Sequence, residues 1–409
     1  MGGLAGLSWL KPGDRAGPHS DYFIALGKAL DAARIARPTL IVDRQRLLEN
    51  IHTLKRKVIP QYHYRMVVKS LPALPLLDLV AEQTGSRRFM AFDERFVLKL
   101  LQRWRDADIL LGKPLPTVAV NRTLAQLSKS QGSGIRWLVD SQERLHEYRI
   151  LAQQRRQHLR INLELDIGLH RGGFRTAQQL GDALRLIGEE PLLEFDGFMG
   201  YEPHVVKLPG DPNRHLDAAL TSYREHIDSA REMLGADFPA QPVLNSAGSP
   251  SYPLHTHLPA EKRVANELSA GSCLVKPLDF DLPTLADHVP ACFIATPILK
   301  TSDTTEIPGL PGLGAAMAWW DPNLAQSLFT YGGNWKARPV SPAGLTYHPV
   351  YGRSSNQEML NFSTSMMLKL NDWVFLRPTQ SEAVFLQFGD IAVFEGGTIV
   401  DAWPTLTSS

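Results

Sequence analysis

Between residues 38 and 244 the chain repeats one unit: a short apolar, β-branched run followed by a segment with apolar residues at helical spacing. Thr39-Leu40-Ile41-Val42 is the first run. Asp43 is placed to cap the helix that follows it, in which Leu47, Leu48, Ile51 and Leu54 share a face. Met66-Val67-Val68 precedes a helix over 74–83, Phe89-Met90-Ala91 one over 94–104, and Thr117-Val118-Ala119-Val120 one over 124–130. The runs at 135–139, 161–165 and 195–199 precede helices over 142–153, 177–187 and 216–234, and Pro242-Val243-Leu244 closes the series. Strands alternating with helices make a parallel sheet covered on its faces. About eight of them predict an α/β fold of the (β/α)8 barrel type, with an open doubly wound sheet as the alternative.

The alternation fails near residue 260. Beyond it come Pro, Gly and β-forming runs, and Glu395-Gly396-Gly397 between two of these runs marks a hairpin turn. The expected organisation is an N-terminal arm over 1–37 packing on the β domain, a barrel over 38–262, and a mainly-β C-terminal domain over 263–409.

The formal charge of +1, from 43 basic and 42 acidic residues, argues against nucleic acid or a membrane surface as partner. Cys273 and Cys292 are the only cysteines and form no CxxC pair, so a disulfide scaffold or thiolate zinc site is not expected. The first residues, MGGLAGLSWLKPGDRAG, read neither as a signal peptide nor as a membrane span. A reducing cytoplasm is the expected location.

Chemistry in such barrels sits on the loops at the C-terminal ends of the strands. Those ends carry Lys69, the stretch Asp166-Ile167-Gly168-Leu169-His170-Arg171-Gly172-Gly173-Phe174, the pair Tyr201 and His204, and Asn245-Ser246-Ala247-Gly248-Ser249-Pro250-Ser251. A lysine at the end of an apolar strand has an amine able to attack a carbonyl; alone it reads as a surface lysine. Ser246, Gly248, Ser249 and Ser251 offer hydroxyls and backbone N–H groups that suit a phosphate; alone they read as a polar turn. Together, a lysine and a phosphate loop on one barrel face describe a site for pyridoxal 5'-phosphate (PLP).

The ordered set of motifs resembles the fold-type III PLP enzymes: alanine racemases, D-threonine aldolases and D-serine dehydratases. Pro38-Thr39-Leu40-Ile41-Val42-Asp43 resembles their opening strand, and Val67-Val68-Lys69-Ser70 the strand that carries the Schiff-base lysine. Glu164-Leu165-Asp166-Ile167-Gly168 with Arg171-Gly172-Gly173-Phe174, the Tyr201-Glu202-Pro203-His204 loop and the loop from Ser246 to Ser251 follow in the family's order. Glu267-Leu268 with Gly271-Ser272, and the closing Val400-Asp401-Ala402-Trp403-Pro404, complete the likeness, which covers about residues 38–404. It implies a PLP-binding TIM barrel followed by the β domain, a homodimer, Lys69 as the residue joined to the cofactor, Arg171 near the cofactor's phenolic oxygen, and Tyr201 and His204 facing the substrate. Bottom-up, Arg171 reads equally well as the partner of an acid such as Asp166.

The chain departs from the family at one instructive place. The aldolase and dehydratase branch carries a metal pair near "P-x-H-x-C" or "P-x-H-x-D", and here the stretch is Pro378-Thr379-Gln380-Ser381-Glu382. An amide and a carboxylate, Gln380 and Glu382, suit Mg²⁺, Mn²⁺ or Ca²⁺ better than zinc, or they bind no metal. The resemblance implies a PLP-dependent lyase that cleaves β-hydroxy-D-amino acids such as D-threonine to glycine and an aldehyde; the candidate base, from its strand-end position beside Tyr201, is His204, alone or through a metal-bound water. A dehydratase, a racemase using Tyr347 or Tyr351 as its second base, and a non-catalytic PLP-binding protein are the alternatives.

Overall fold

The computed structural model describes residues 11–406. The opening residues 1–10 of the arm lie outside them. The chain divides into two compact units, one of residues 48–276, 280–289 and 406–409, the other of residues 1–47, 277–279 and 290–405. Among the described residues no helix is long and apolar enough to cross a membrane.

The first strand, β1 (Thr39–Asp43), has all five residues buried. The expectation that it opens the barrel is wrong. It pairs antiparallel with β10 (Cys292–Ser302), Thr39 opposite Ala295, and parallel with β16 (Asp390–Glu395), Leu40 opposite Ile391. A short apolar run carries the same pattern whether its partners are barrel neighbours or distant strands, so only the pairing decides. Asp43 does cap the next helix, its Oδ1 accepting from the Arg46 N–H at 3.0 Å.

The closed barrel runs β2 (His63–Val67), β3 (Arg88–Ala91), β4 (Asp108–Leu111), β5 (Ile135–Val139), β6 (Leu159–Leu165), β7 (Leu193–Gly200), β8 (Val243–Ser246) and β9 (Glu267–Ala270). Every neighbouring pair is parallel. Two further sequence expectations are corrected here. Thr117-Val118-Ala119-Val120 is not a strand but the start of the helix Thr117–Ala125, preceded by Pro116 at its N-cap; the missed strand is the four-residue β4. The sequence places the start of the C-terminal segment at 263, yet β9 closes the barrel, its Glu267 aligned with His63 of β2 on one side and with Asn245 of β8 on the other. Lys69 thus follows the first strand of the barrel rather than the second, and the serine loop follows the seventh.

The strand starts hold a buried ion network. Arg65 is fully buried; its guanidinium donates to both oxygens of Glu267, at 2.5 and 2.9 Å, and to Asp108 Oδ1 at 2.8 Å. Arg136 donates to the same Asp108 oxygen and pairs with Asp196. These charges lie at the ends of the strands opposite the loops discussed below.

The second unit is a mainly antiparallel sheet. Its path runs β13 (Thr346–Tyr347), β14 (Met359–Phe362), β11 (Gln326–Thr330), β10, β1, β16 and β17 (Thr398–Pro404). Off this path, β15 (Trp373–Pro378) pairs with β10 and with β12 (Ala337–Ser341). The helix Asp21–Ala32 lays Leu26, Ala29 and Leu30 onto Ile41, Trp373, Phe375 and Phe394 of this sheet. Gly396 and Gly397, at φ 58° and 84°, make the hairpin between β16 and β17 that the sequence marks.

Candidate active site

The loops at the C-terminal ends of the barrel strands are joined by contacts that run around the rim. Lys69 sits in the single turn Val68–Ser70 after β2, half-buried, with its Nζ 4.9 Å from the centre of the Phe92 ring. The neighbouring Ser70 hydroxyl accepts from the Ser272 hydroxyl at 2.9 Å, which ties the Lys69 turn to the segment after β9. Gly271 backs this contact: a Cβ there would stand 2.8 Å from the Val67 carbonyl oxygen. From the same segment the N–H groups of Gly271 and Cys273 both donate to Ser249 Oγ, each at 3.0 Å. Lys69 and Ser249, 180 positions apart in the sequence numbering, are thus linked through the end of a single intervening strand.

The serine loop is buried throughout, and its hydroxyls are not equivalent. Ser246 and Ser251 both donate to Glu202, at 2.8 and 2.6 Å. The expectation that Ser246 offers its hydroxyl to a phosphate is therefore revised, since that proton is committed to a carboxylate. Ser249 differs. Its oxygen accepts two N–H groups and its hydroxyl faces the Cys273 thiol, a weak acceptor that it can leave for a stronger one, and among the described residues its backbone N–H meets no acceptor. A buried N–H without a partner is costly unless a ligand supplies one. Gly248 is required by proximity: a Cβ on it would lie 2.7 Å from Cε2 of Tyr201.

The Tyr201 ring also meets Arg171, whose guanidinium carbon lies 5.0 Å from the ring centre. Arg171 is exposed and pairs only loosely, at 3.7 Å, with Glu164. The partner of Asp166 is instead Arg175, at 2.9 Å, together with the His170 ring at 3.0 Å. Burial pushes the Glu164 carboxyl up from its ordinary range, against the pull of Arg171.

His204 follows in the single turn Pro203–Val206, half-buried. Its Nε2 packs 3.1 Å from where a Cβ on Gly168 would be, and its buried Nδ1 has no hydrogen-bond partner among the described residues. Burial lowers its pKa below the ordinary 6.5, partly opposed by the charge of Glu202. Its imidazole is therefore neutral at pH 7 and able to accept a proton. Sequence reading missed Glu202, His255 and Ser70. The signal for Glu202 was present: an acid at the very end of an apolar strand needs buried donors, and hydroxyls stand at 246 and 251.

Gln380 and Glu382 lie in the other unit. Gln380 Oε1 accepts from the Lys336 ammonium at 2.7 Å, and its amide donates to Asp279 at 3.1 Å. A cation already sits at the one oxygen that Gln380 would offer to a metal. Among the described residues no group of three or more His, Cys, Asp or Glu side chains is arranged to hold a metal ion.

The model of the alanine racemase N-terminal domain family matches residues 42–277. The chain belongs to that family. With it the chain falls among the fold-type III PLP enzymes. An alanine racemase of Limosilactobacillus fermentum is 28% identical over 174 residues, which are 41% of this chain and 44% of that protein; the chain thus spans less than half of that relative. Among solved structures, a D-threonine aldolase from Filomicrobium marinum matches with a TM-score of 0.70 at 14% identity, over 90% of this chain and 96% of that one. D-threo-3-hydroxyaspartate dehydratase from Delftia sp. HT23 gives 0.68 at 15%, over 91% and 98%, and an alanine racemase from Bacillus anthracis 0.65 at 15%, over 90% and 98%. At these identities the likeness is one of fold.

Proposed function

We propose that this protein is a PLP-dependent lyase that cleaves β-hydroxy-D-amino acids, D-threonine among them, to glycine and an aldehyde. The observation that carries the reading is the link from the Lys69 turn through Gly271 and Ser272 to Ser249, whose N–H is unmatched among the described residues. The residues fit the cofactor. Lys69 supplies the amine for its carbonyl, Ser249 supplies an N–H and a hydroxyl for its phosphate, and Gly248 keeps the backbone there open beside Tyr201. Arg171 is an exposed, loosely paired cation suited to the phenolic oxygen. When bound, PLP supplies an electron sink for bonds broken at the substrate's α-carbon.

The chain's own contribution to cleavage is a proton acceptor. His204, neutral at pH 7 and with Nδ1 unpartnered among the described residues, takes the β-hydroxyl proton as the Cα–Cβ bond opens. Tyr201, held between Gly248 and Arg171, lines the substrate side. The lyase reading draws on the aldolase and dehydratase folds among the matches, and the D configuration comes from the family resemblance, as does a homodimer. The racemase reading is weakened by the tyrosines it needs. Burial pushes the Tyr347 phenol up to about 12, against the neighbouring Arg353, and its hydroxyl donates to the Ala337 carbonyl; that of Tyr351 donates to the Glu306 carbonyl. Tyr347 is therefore not poised as a base at neutral pH, and the Tyr351 hydroxyl is committed to a carbonyl.

The test is to incubate the PLP-loaded protein with D-threonine and identify the products. Glycine and acetaldehyde support the lyase, a 2-oxo acid the dehydratase, and inversion at Cα the racemase. Absence of a visible lysine–cofactor chromophore that Lys69→Ala abolishes would overturn the cofactor assignment itself.

A further inference from the structure

Glu202 stands between Tyr201 and His204, but it is fully buried and its four hydrogen bonds all lead elsewhere. Oε1 accepts from the Ser251 hydroxyl at 2.6 Å and from His255 Nε2 at 3.1 Å. Oε2 accepts from the Ser246 hydroxyl at 2.8 Å and from the Ala247 N–H at 3.2 Å. A carboxylate only accepts, so His255 must carry its proton on Nε2. Burial alone would raise this carboxyl, yet the bonds from His255, Ser251 and Ser246 more than offset it and hold it below the ordinary range. The anion is therefore the form the loop is built around.

The consequence for the loop is conformational. Ala247 adopts φ 68°, a left-handed conformation that is unfavourable for a residue with a Cβ. It is kept there with its N–H on Glu202. Ser251, fixed by the same carboxylate, in turn accepts the Gly248 N–H at 3.1 Å. Each residue from Ser246 to Gly248 is thus set, directly or through Ser251, by Glu202, and the next residue is Ser249. A neutral amide does this less well. In a Glu202→Gln variant the NH₂ would face one of the two donor pairs; on the Ser251 and His255 side both partners would have to turn to accept, and the charge that draws the donors inward would be gone.

We propose that Glu202 is a positioning residue for phosphate recognition: it draws the protons of Ser246 and Ser251 inward and shapes the loop so that Ser249 alone presents its N–H and hydroxyl to the cofactor phosphate. This rests on the cofactor reading given above. It explains why a carboxylate lies beneath an anion site: its charge is consumed by four donors, and what it leaves facing outward is a donor pair.

The experiment compares PLP with pyridoxal, which lacks the phosphate, by absorbance titration of the lysine–cofactor chromophore in the full chain. Glu202→Gln is expected to weaken PLP about tenfold, the equivalent of losing one charge-assisted hydrogen bond, and to leave pyridoxal within about twofold. Ser246→Ala and Ser251→Ala, which keep Glu202 and remove one donor each, are expected to shift the PLP-to-pyridoxal ratio in the same direction by less, and carry the test should Glu202→Gln not fold. Equal weakening of both ligands, or of neither, overturns the assignment, because a residue serving only stability has no reason to discriminate on the phosphate. A wild-type protein that does not prefer PLP to pyridoxal overturns the cofactor reading, and this proposal with it.

Discussion

Tyr201 and Gly248 touch across two loops that follow adjacent barrel strands: a methyl group on Gly248 would lie 2.7 Å from Cε2 and 3.4 Å from the phenol oxygen. No side chain fits unless the ring moves. Gly248→Ala is expected to cost about 1–3 kcal/mol of stability through overpacking, read from urea unfolding. Adding Tyr201→Ala should recover part of that loss, because the clash has only one partner. Additive effects of the two substitutions would show that the ring does not press on the loop.

His204 tests the proton path. Its pKa lies below 6.5 because it is buried, so the base form is complete at neutral pH and is lost only as pH falls through that depressed value. His204→Asn is expected to lower kcat for D-threonine cleavage by about 10²-fold or more with little change in KM. It should also remove the acid limb from the kcat–pH profile. An acid limb that persists in the variant assigns the base elsewhere.

The strand-end positions of the candidate residues were legible in the sequence: chemistry in a barrel collects there, and Lys69, Arg171, Tyr201, His204 and Ser249 could each be placed on such loops by locating strands. What could not be read was partnership. β1 and β9 differ little as short strings, Thr-Leu-Ile-Val-Asp against Glu-Leu-Ser-Ala, yet one joins the distant sheet and the other closes the barrel, because strand pairing is decided by residues more than 200 positions away. The same holds for Ser246 against Ser249. Both are loop serines in sequence, and only the proximity of Glu202 to one of them separates a hydroxyl committed to a carboxylate from one that is not.

Gln380 and Lys336 bear on metal dependence. With the ammonium 2.7 Å from the amide oxygen, a divalent cation binding there would meet a positive charge. Mg²⁺ or Mn²⁺ titrated calorimetrically into the wild-type protein is expected to give no heat of binding at this place, and chelator treatment to leave cleavage of D-threonine unchanged. Lys336→Ala removes the competing charge. Metal binding in the wild type that Gln380→Ala abolishes would show instead that the lysine yields to the ion.

Asp108 sets the acid stability of the barrel. Burial pushes its carboxyl up, but Arg65 and Arg136 outweigh this and bring it from 3.8 down to about 2. A depressed folded pKa contributes stability that is complete above the unfolded value, near pH 4, and is lost as pH falls toward 2. A shift of this size corresponds to about 2.5 kcal/mol. Asp108→Asn leaves Arg65 with Glu267 and Arg136 with Asp196, so neither cation is stranded, and the loss of the charge-assisted bonds to Asp108 is expected to cost about 2–3 kcal/mol at pH 7. Because the wild type itself loses the carboxylate in acid, the gap between the two proteins should narrow at pH 2–3. Urea unfolding followed by tryptophan fluorescence, to which the buried Trp137 beside Arg136 contributes, reads both conditions. A gap independent of pH would mean that the aspartate acts through shape rather than charge.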